Sequence, residues 1–193
     1  MNELGYVQAP ACLDAILART QQLNFGMASE PRTGAFLRAL VASRPGGRFL
    51  ELGTGTGIAT AWLLHGMDSA STLLSIDIDP AAQAIAREFL GADSRLTLIL
   101  EDGIAFLRKQ IPQSFDLVFA DAMPGKYDSL EDALALVKPG GLYVIDDLLP
   151  QPNWPDGHAE KVPVLLEQLA SDARFVLCPM AWASGVAVAV RKP

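Results

Sequence analysis

Residues 49–66 read FLELGTGTGIATAWLLHG, and this stretch decides the fold. It begins as a short continuous apolar run, the pattern of a strand buried on both faces, and after Gly57 it becomes an apolar stretch of helical length. Glycines at 53, 55 and 57 let the turn between them take backbone angles closed to other residues, and let a ligand approach the main chain. A nucleotide-type ligand would fit such a turn, although a tight strand-to-helix connection without a ligand explains the glycines equally well. The spacing is G-x-G-x-G, whereas the dinucleotide fingerprint needs its third glycine at position 58, which is Ile58. A pyrophosphate ligand is therefore disfavoured.

Outward from this turn, short runs rich in Val, Ile and Leu alternate with longer helical stretches, as in a parallel sheet covered on both faces. The runs are 49–52, 72–78, 96–100, 115–120, 142–145, 175–178 and 186–190. The last two are separated only by Met180 to Gly185, too short for a parallel crossover, so they are expected to form an antiparallel hairpin. Before the sheet, Cys12 to Leu23 and Thr33 to Ala42 read as two amphipathic helices. The expected fold is α/β: a Rossmann-like, seven-stranded, mostly parallel sheet with a reversed last strand, helices on both faces and two extra N-terminal helices. Asp79 can cap a helix that starts at Pro80, Gly91 stands where a helix C-terminal glycine is expected, and Asp102-Gly103 open a helix that ends near Pro112.

The chain has 193 residues, 50% of them apolar, which suits a single domain of residues 1–193, with 1–47 as a helical cap and 48–193 as the core. A net charge of -7 without basic clusters disfavours nucleic acid as a partner. No apolar run reaches the length that spans a bilayer, so no membrane partner is expected. Cys12 and Cys178, read as buried apolar residues, and the lack of a signal-peptide pattern favour a reduced cytoplasmic setting.

The strand after the glycine turn ends in Asp77 and Asp79, at the edge where open α/β sheets bind ligands, and Asp77 can accept both hydroxyls of a ribose. Asp102, in Glu101-Asp102-Gly103, can accept from an adenine amino group, a role compatible with capping the next helix. The ordered set ELGTGTG, SIDIDP, LILEDG, FDLVFAD and LVKPGGLYVIDD, covering residues 48–147, resembles the class I S-adenosylmethionine-dependent methyltransferases. The resemblance implies that Glu51 and the turn of Gly53, Thr54, Gly55 and Gly57 hold the methionine end of S-adenosylmethionine. It assigns the ribose to Asp77 and the adenine to Asp102 with Gly103, and puts Ile78 and Ile104 beside the ring, although core packing explains the two isoleucines as well.

Asp121-Ala122-Met123-Pro124 lacks the Asn/Asp-Pro-Pro-aromatic motif of nucleic-acid amino-methyltransferases. Instead, Asp121 ends the fourth strand and Asp146 and Asp147 end the fifth, and neighbouring strands lie about 4.8 Å apart. Three carboxylates can therefore converge, and a divalent cation such as Mg²⁺ would compensate their charge; capping and turn-orienting roles are the alternative. Here the chain resembles the cation-dependent O-methyltransferases of the catechol and caffeoyl-coenzyme A type, which implies Asp121, Asp146 and Asp147 as metal ligands, with Asp147 in place of the family's Asn. It also places Met27, Ala28 and Ser29, in MASEPRTG, near the methionine moiety, and adds Asp121 to the cofactor contacts. Pro124 occupies the position of the family's proposed lysine base, and Lys126 follows two residues later. The expected catalytic pair is Lys126 and Asp121.

The loop LPQPNWPDG, residues 149–157, is stiffened by three prolines, and Trp154 either stacks on an aromatic acceptor or anchors the loop. His158 reads as a surface residue at a helix start, His65 as a partner of helix carbonyls, and Trp62 and Trp182 as core or hairpin packing. The resemblance further implies a homodimer through the N-terminal helices. The expected activity is methyl transfer to a hydroxyl of a small molecule, with a phenol as the candidate acceptor. The competing expectations are a non-catalytic S-adenosylmethionine-binding sensor or assembly subunit and an NAD-dependent dehydrogenase.

Overall fold

The computed structural model describes residues 3–193. A short 3-10 turn at Glu3–Tyr6 leads to α1 (Leu13–Gln22) and α2 (Pro31–Ala42). Then follow β1 (Arg48–Leu52), α3 (Ile58–Gly66), β2 (Thr72–Asp77), α4 (Pro80–Leu90), β3 (Leu96–Leu100) and α5 (Gly103–Leu107). The second half contains β4 (Phe115–Ala120), the single turn α6 (Met123–Lys126), α7 (Leu130–Leu136), β5 (Val137–Ile145), α8 (His158–Ser171), β6 (Phe175–Met180) and β7 (Val186–Arg191).

The seven strands form one sheet in the order β3-β2-β1-β4-β5-β7-β6. β1 pairs parallel with both β2 and β4, and β4 with β5, whereas β7 runs antiparallel to β5 and β6. This is the expected sheet with its reversed last strand. The strand order turns back between β1 and β4, and the crevice beyond the carboxyl ends of such strands is where open α/β sheets take ligands.

One face of the sheet is covered by α1, α2, α3 and α4, the other by α5, α7 and α8. Every residue of α3 from Ile58 to Leu64 is buried, as expected of a helix that lies between the sheet and an outer layer. α2 approaches it closely because Gly34 has no side chain: a Cβ there would come within 2.1 Å of the Trp62 ring. Phe49, Leu50 and Leu52 of β1 are fully buried, each contributing about 1.5–3 kcal/mol by leaving water.

Two local expectations need correction. α5 stops at Leu107 rather than near Pro112, because the chain continues in turns that bond back three residues, and Gln113 takes a left-handed φ of 54°. Gly91 ends α4 as expected, in a right-handed conformation. Cys178 is exposed on the outer strand β6 and Cys12 is only partly covered, so neither is a core residue; both are unpaired. No helix among the described residues is long and apolar enough to cross a membrane.

Candidate active site

The turn after β1 carries the left-handed angles that its glycines allow, with φ of 99°, 51° and 92° at Gly53, Gly55 and Gly57. A Cβ at Gly53 would lie 2.8 Å from the Asp121 carbonyl oxygen, and one at Gly57 would lie 2.8 Å from the Ala86 Cβ of α4. Glycine is thus required both by the angles and by close neighbours. Asp77 braces the turn: one carboxylate oxygen accepts from Gly55 N at 2.6 Å and the other from Asp79 N at 2.8 Å. Asp79 caps α4 as expected, accepting from Ala81 N and Ala82 N, and Asp102 caps α5 by accepting from Ala105 N.

Two adjoining pockets follow this edge. One, about 180 Å³, is lined by Met27, Ala28 and Ser29 on one side and by the turn, Asp77 and Asp121 on the other. The second, about 80 Å³, shares Gly53 and Asp77 and extends to Ile78, Asp102 and Gly103. Ile78 is 69% exposed and so is free to flank a ligand rather than serve the core. Met27, Ser29, Gly53, Thr54, Gly55, Asp77, Ile78, Asp102, Gly103 and Asp121 are thereby brought to one continuous crevice. Gly57 shapes the turn from behind. Phe25, which composition and spacing did not single out, closes the end of the larger pocket over Gly55.

Glu51 lies beneath this crevice and lines neither pocket. It is fully buried, and its Oε2 accepts from Thr60 Oγ1 at 2.6 Å and Ser75 Oγ at 2.5 Å. Ser75 in turn contacts the Thr54 hydroxyl, which ties the carboxylate to the turn above it. Oε1 has no partner. Burial pushes its pKa up to about 7; the Ser75 and Thr60 hydrogen bonds only partly counter this, and the Asp77 charge adds to it.

At the ends of β4 and β5, the register Ala120↔Ile145 sets Asp121 beside Asp146. Ser29 Oγ donates to Asp121 Oδ2 at 2.6 Å, joining the N-terminal loop to the strand end. Asp146 Oδ1 accepts from the Ser184 hydroxyl and, at 2.8 Å, from Asp147 N. Burial and the neighbouring Asp146 raise the Asp121 pKa well above the usual carboxylate range, opposed by Lys126. Asp146 is pushed up to about 6, chiefly by burial. Lys126 is 3% exposed and so supplies part of the positive charge these acids lack. Among the described residues, no three His, Cys, Asp or Glu side chains are gathered to hold a metal ion as they stand. Asp121 and Asp146 each accept from a serine hydroxyl instead.

The loop 149–157 reaches the same region. Asn153 Nδ2 donates to Gly26 O at 2.7 Å, so this loop meets the segment that walls the larger pocket. The Trp154 ring lies against the His158 ring, with centroids 4.3 Å apart and an interplanar angle of 30°. His158 is not a surface residue. It is 7% exposed, stands edge-on to Tyr127 at 5.1 Å, and its Nε2 is 3.1 Å from the Tyr127 hydroxyl. Burial, with Lys126 nearby, lowers its pKa and favours the neutral ring. Burial raises the Tyr127 pKa to about 12. Trp62 sits in the core, and the Trp182 indole donates to Arg32 O at 3.2 Å. His65 Nδ1 is buried without a partner, so the expected contact with helix carbonyls is not made by that atom.

A family model described as O-methyltransferase matches residues 6–192. The chain belongs to the O-methyltransferase family. It is 35% identical over 151 residues to a Mycobacterium avium (strain 104) protein whose curated name assigns it to the O-methyltransferases, a match covering 74% of this chain and 68% of that one. A relative of the same designation from Mycobacterium ulcerans (strain Agy99) is 32% identical over 192 residues, covering 92% and 85%. Among solved structures, the O-methyltransferase TomG from Streptomyces achromogenes, involved in tomaymycin synthesis and solved in complex with SAM, superposes with a TM-score of 0.82 at 22% identity, covering 97% of this chain and 92% of that one. The O-methyltransferase from Bacillus cereus in complex with SAH gives the same TM-score and identity, covering 97% and 93%. These two likenesses support the fold. As an O-methyltransferase, the chain is an enzyme that moves a methyl group to oxygen of a small molecule, which sets aside the sensor and dehydrogenase readings.

Proposed function

We propose that this O-methyltransferase takes its methyl group from S-adenosylmethionine and delivers it to a phenolic hydroxyl of a small acceptor. The observation that carries the reading is the continuous crevice from Asp102 past Asp77 to Asp121, with Ser29 and Met27 closing its far end. Adenine stands beside Ile78 and Asp102, the ribose hydroxyls at Asp77, and the methionine end over the glycine turn, where Glu51 supports the turn from below. Both structural neighbours named above were solved in complex with SAM or SAH, which agrees with this cofactor.

The sulfonium methyl is already activated, so the chain must hold an oxygen nucleophile in line with it and favour the oxyanion. The acceptor O–H gives up its proton to solvent as the acceptor binds, the oxygen–carbon bond forms as the sulfur–carbon bond breaks, and S-adenosylhomocysteine departs. Lys126, a buried ammonium beside Asp121 and Asp146, stabilises the oxyanion. The Asn153 contact ties the two covering loops together beside the larger pocket. Asp121, Asp146 and Asp147 are hard oxygen donors of the kind a divalent cation takes, and these are the residues that would hold one. When bound there, a divalent cation lowers the pKa of a chelating hydroxyl.

Replacing Asp146 by Ala tests the cation role. Turnover should fall to the level of chelator-treated enzyme, while calorimetric affinity for S-adenosylhomocysteine stays within about twofold; activity that survives both treatments would remove the cation. Lys126→Met should lower kcat more than acceptor binding, and an unchanged kcat would remove Lys126 from the mechanism.

A further inference from the structure

We propose that Asn153 is a positioning residue that latches segment 24–30 to the loop 149–157, and so sets how slowly the cofactor product, S-adenosylhomocysteine, leaves. The proposal rests on the cofactor reading of the crevice given above. It gives the proline-stiffened loop a role that the methyl-transfer chemistry does not use.

Segment 24–30 borders the larger pocket as irregular chain between two fixed ends. At its start, Thr20 in the last turn of α1 donates to the Thr56 hydroxyl of the glycine turn at 2.7 Å, a buried bond, and Asn24 follows with a left-handed φ of 53°. At its end, Pro31 opens α2 and the Trp182 indole donates to Arg32 O. Between these ends Gly26, Met27 and Ala28 are exposed, whereas the Phe25 ring lies over Gly55, 3.2 Å from where a Cβ there would stand. A ligand in the larger pocket has the glycine turn on one side and this segment on the other. Its release therefore requires the segment to lift.

Among the described residues, two side chains from beyond the flanking helices hydrogen-bond to the segment, those of Asp121 and Asn153. A bound cofactor affects them differently. Ser29 and Asp121 both line the larger pocket, so a ligand there competes for the groups that form their bond. Asn153 lines neither pocket, and its Nδ2 donates to Gly26 O at 2.7 Å with the Met27 sulfur at 3.5 Å. This tie is compatible with an occupied pocket, and it is the one left to hold the segment down.

The loop that carries Asn153 is itself held fast. Leu149 N donates to Ser184 O at 2.8 Å, and Pro150, Pro152 and Pro155 restrict the chain that follows. Beside Asn153, the Trp154 ring lies against the buried His158 ring at the start of α8. The loop does not follow the segment freely, so lifting the segment means breaking the Asn153 bond.

The test loads the full chain with isotope-labelled S-adenosylhomocysteine and follows its release into an excess of the unlabelled compound. Asn153→Ala, and Asn153→Asp, which keeps the shape but has no N–H to offer, should release the label about three- to tenfold faster than wild type, the size of one neutral hydrogen bond. Asn153 is exposed, so the ligand-free unfolding midpoints of both should stay within about 2 °C of wild type. Asn153→Gln, which retains the donor amide, should restore release to within about twofold of wild type. Trp154→Ala frees the same loop, and combining it with Asn153→Ala should give release no faster than the faster single variant. Wild-type release rates in both Asn153→Ala and Asn153→Asp, equally fast release from Asn153→Gln and Asn153→Ala, or full multiplication of the two effects in the double variant would overturn the latch and leave the cofactor reading standing. Failure of the wild type to bind S-adenosylhomocysteine at all would overturn the cofactor reading and the latch with it.

Discussion

Glu51 is a buried carboxylate with one oxygen satisfied twice and the other not at all, so Glu51→Gln should make the ligand-free protein more stable, and only at high pH. The amide is close in shape to the neutral acid. Its oxygen can accept from Thr60 and Ser75, and it carries no charge to desolvate. In the folded protein burial raises the Glu51 pKa from 4.5 to about 7. The folded state therefore holds this proton more tightly than the unfolded chain does. The associated stability is fully present below about pH 4.5 and is lost as pH rises through about 7. A displacement of that size corresponds to about 3 kcal/mol at 1.36 kcal/mol per pH unit. For a chain of this length 1 kcal/mol moves the unfolding midpoint by about 2–4 °C. Thermal unfolding should thus find wild type and Glu51→Gln within about 2 °C of each other near pH 4, and the variant higher by about 6–12 °C near pH 8.5. Other titrating groups are common to both proteins and cancel in the difference. A gap between the two proteins that does not grow with pH would refute the buried, proton-holding Glu51.

Asp77→Asn should weaken calorimetric binding of S-adenosylhomocysteine by about tenfold or more, because it removes a charged acceptor worth about 1.5–3 kcal/mol and loosens the bond to Gly55 N; unchanged affinity would move the ribose elsewhere. Asp79→Ala strips the α4 cap and should lower stability by about 1 kcal/mol, read as a Tm fall of about 2–4 °C with cofactor affinity retained. Gly57→Ala forces a side chain into a left-handed position 2.8 Å from the Ala86 Cβ and should cost about 2–5 kcal/mol, measured by urea unfolding; a loss below about 1 kcal/mol would mean that the turn readily reshapes.

What the sequence revealed about the site followed from how local each feature is. Strands appeared as apolar runs and Asp79 as the cap before Pro80 because both depend on neighbours in the chain. β5 is longer than its apolar run because Lys138 to Gly141 bulge against β4, where the register shifts between Phe115 and Leu117. The burial of His158 depends on Tyr127, 31 positions away, and the Ser29–Asp121 contact spans 92 positions. Neither leaves a trace in spacing or composition. The strand ends correctly suggested neighbouring carboxylates at 121 and 146, but could not indicate that serines on two distant loops would take up their oxygens. Lys126 was nominated through its offset from a family motif, whereas its burial follows from the one-turn α6, which has left-handed Gly125 in its interior.

The central claim is that this O-methyltransferase delivers a cofactor methyl group to a phenolic oxygen. Its most direct test incubates the purified chain with methyl-labelled S-adenosylmethionine, Mg²⁺ and catechol, and follows both products by mass spectrometry. The account predicts a labelled O-methyl ether formed in equal amount with S-adenosylhomocysteine. Saturable binding of S-adenosylhomocysteine with no labelled ether from catechol would contradict it.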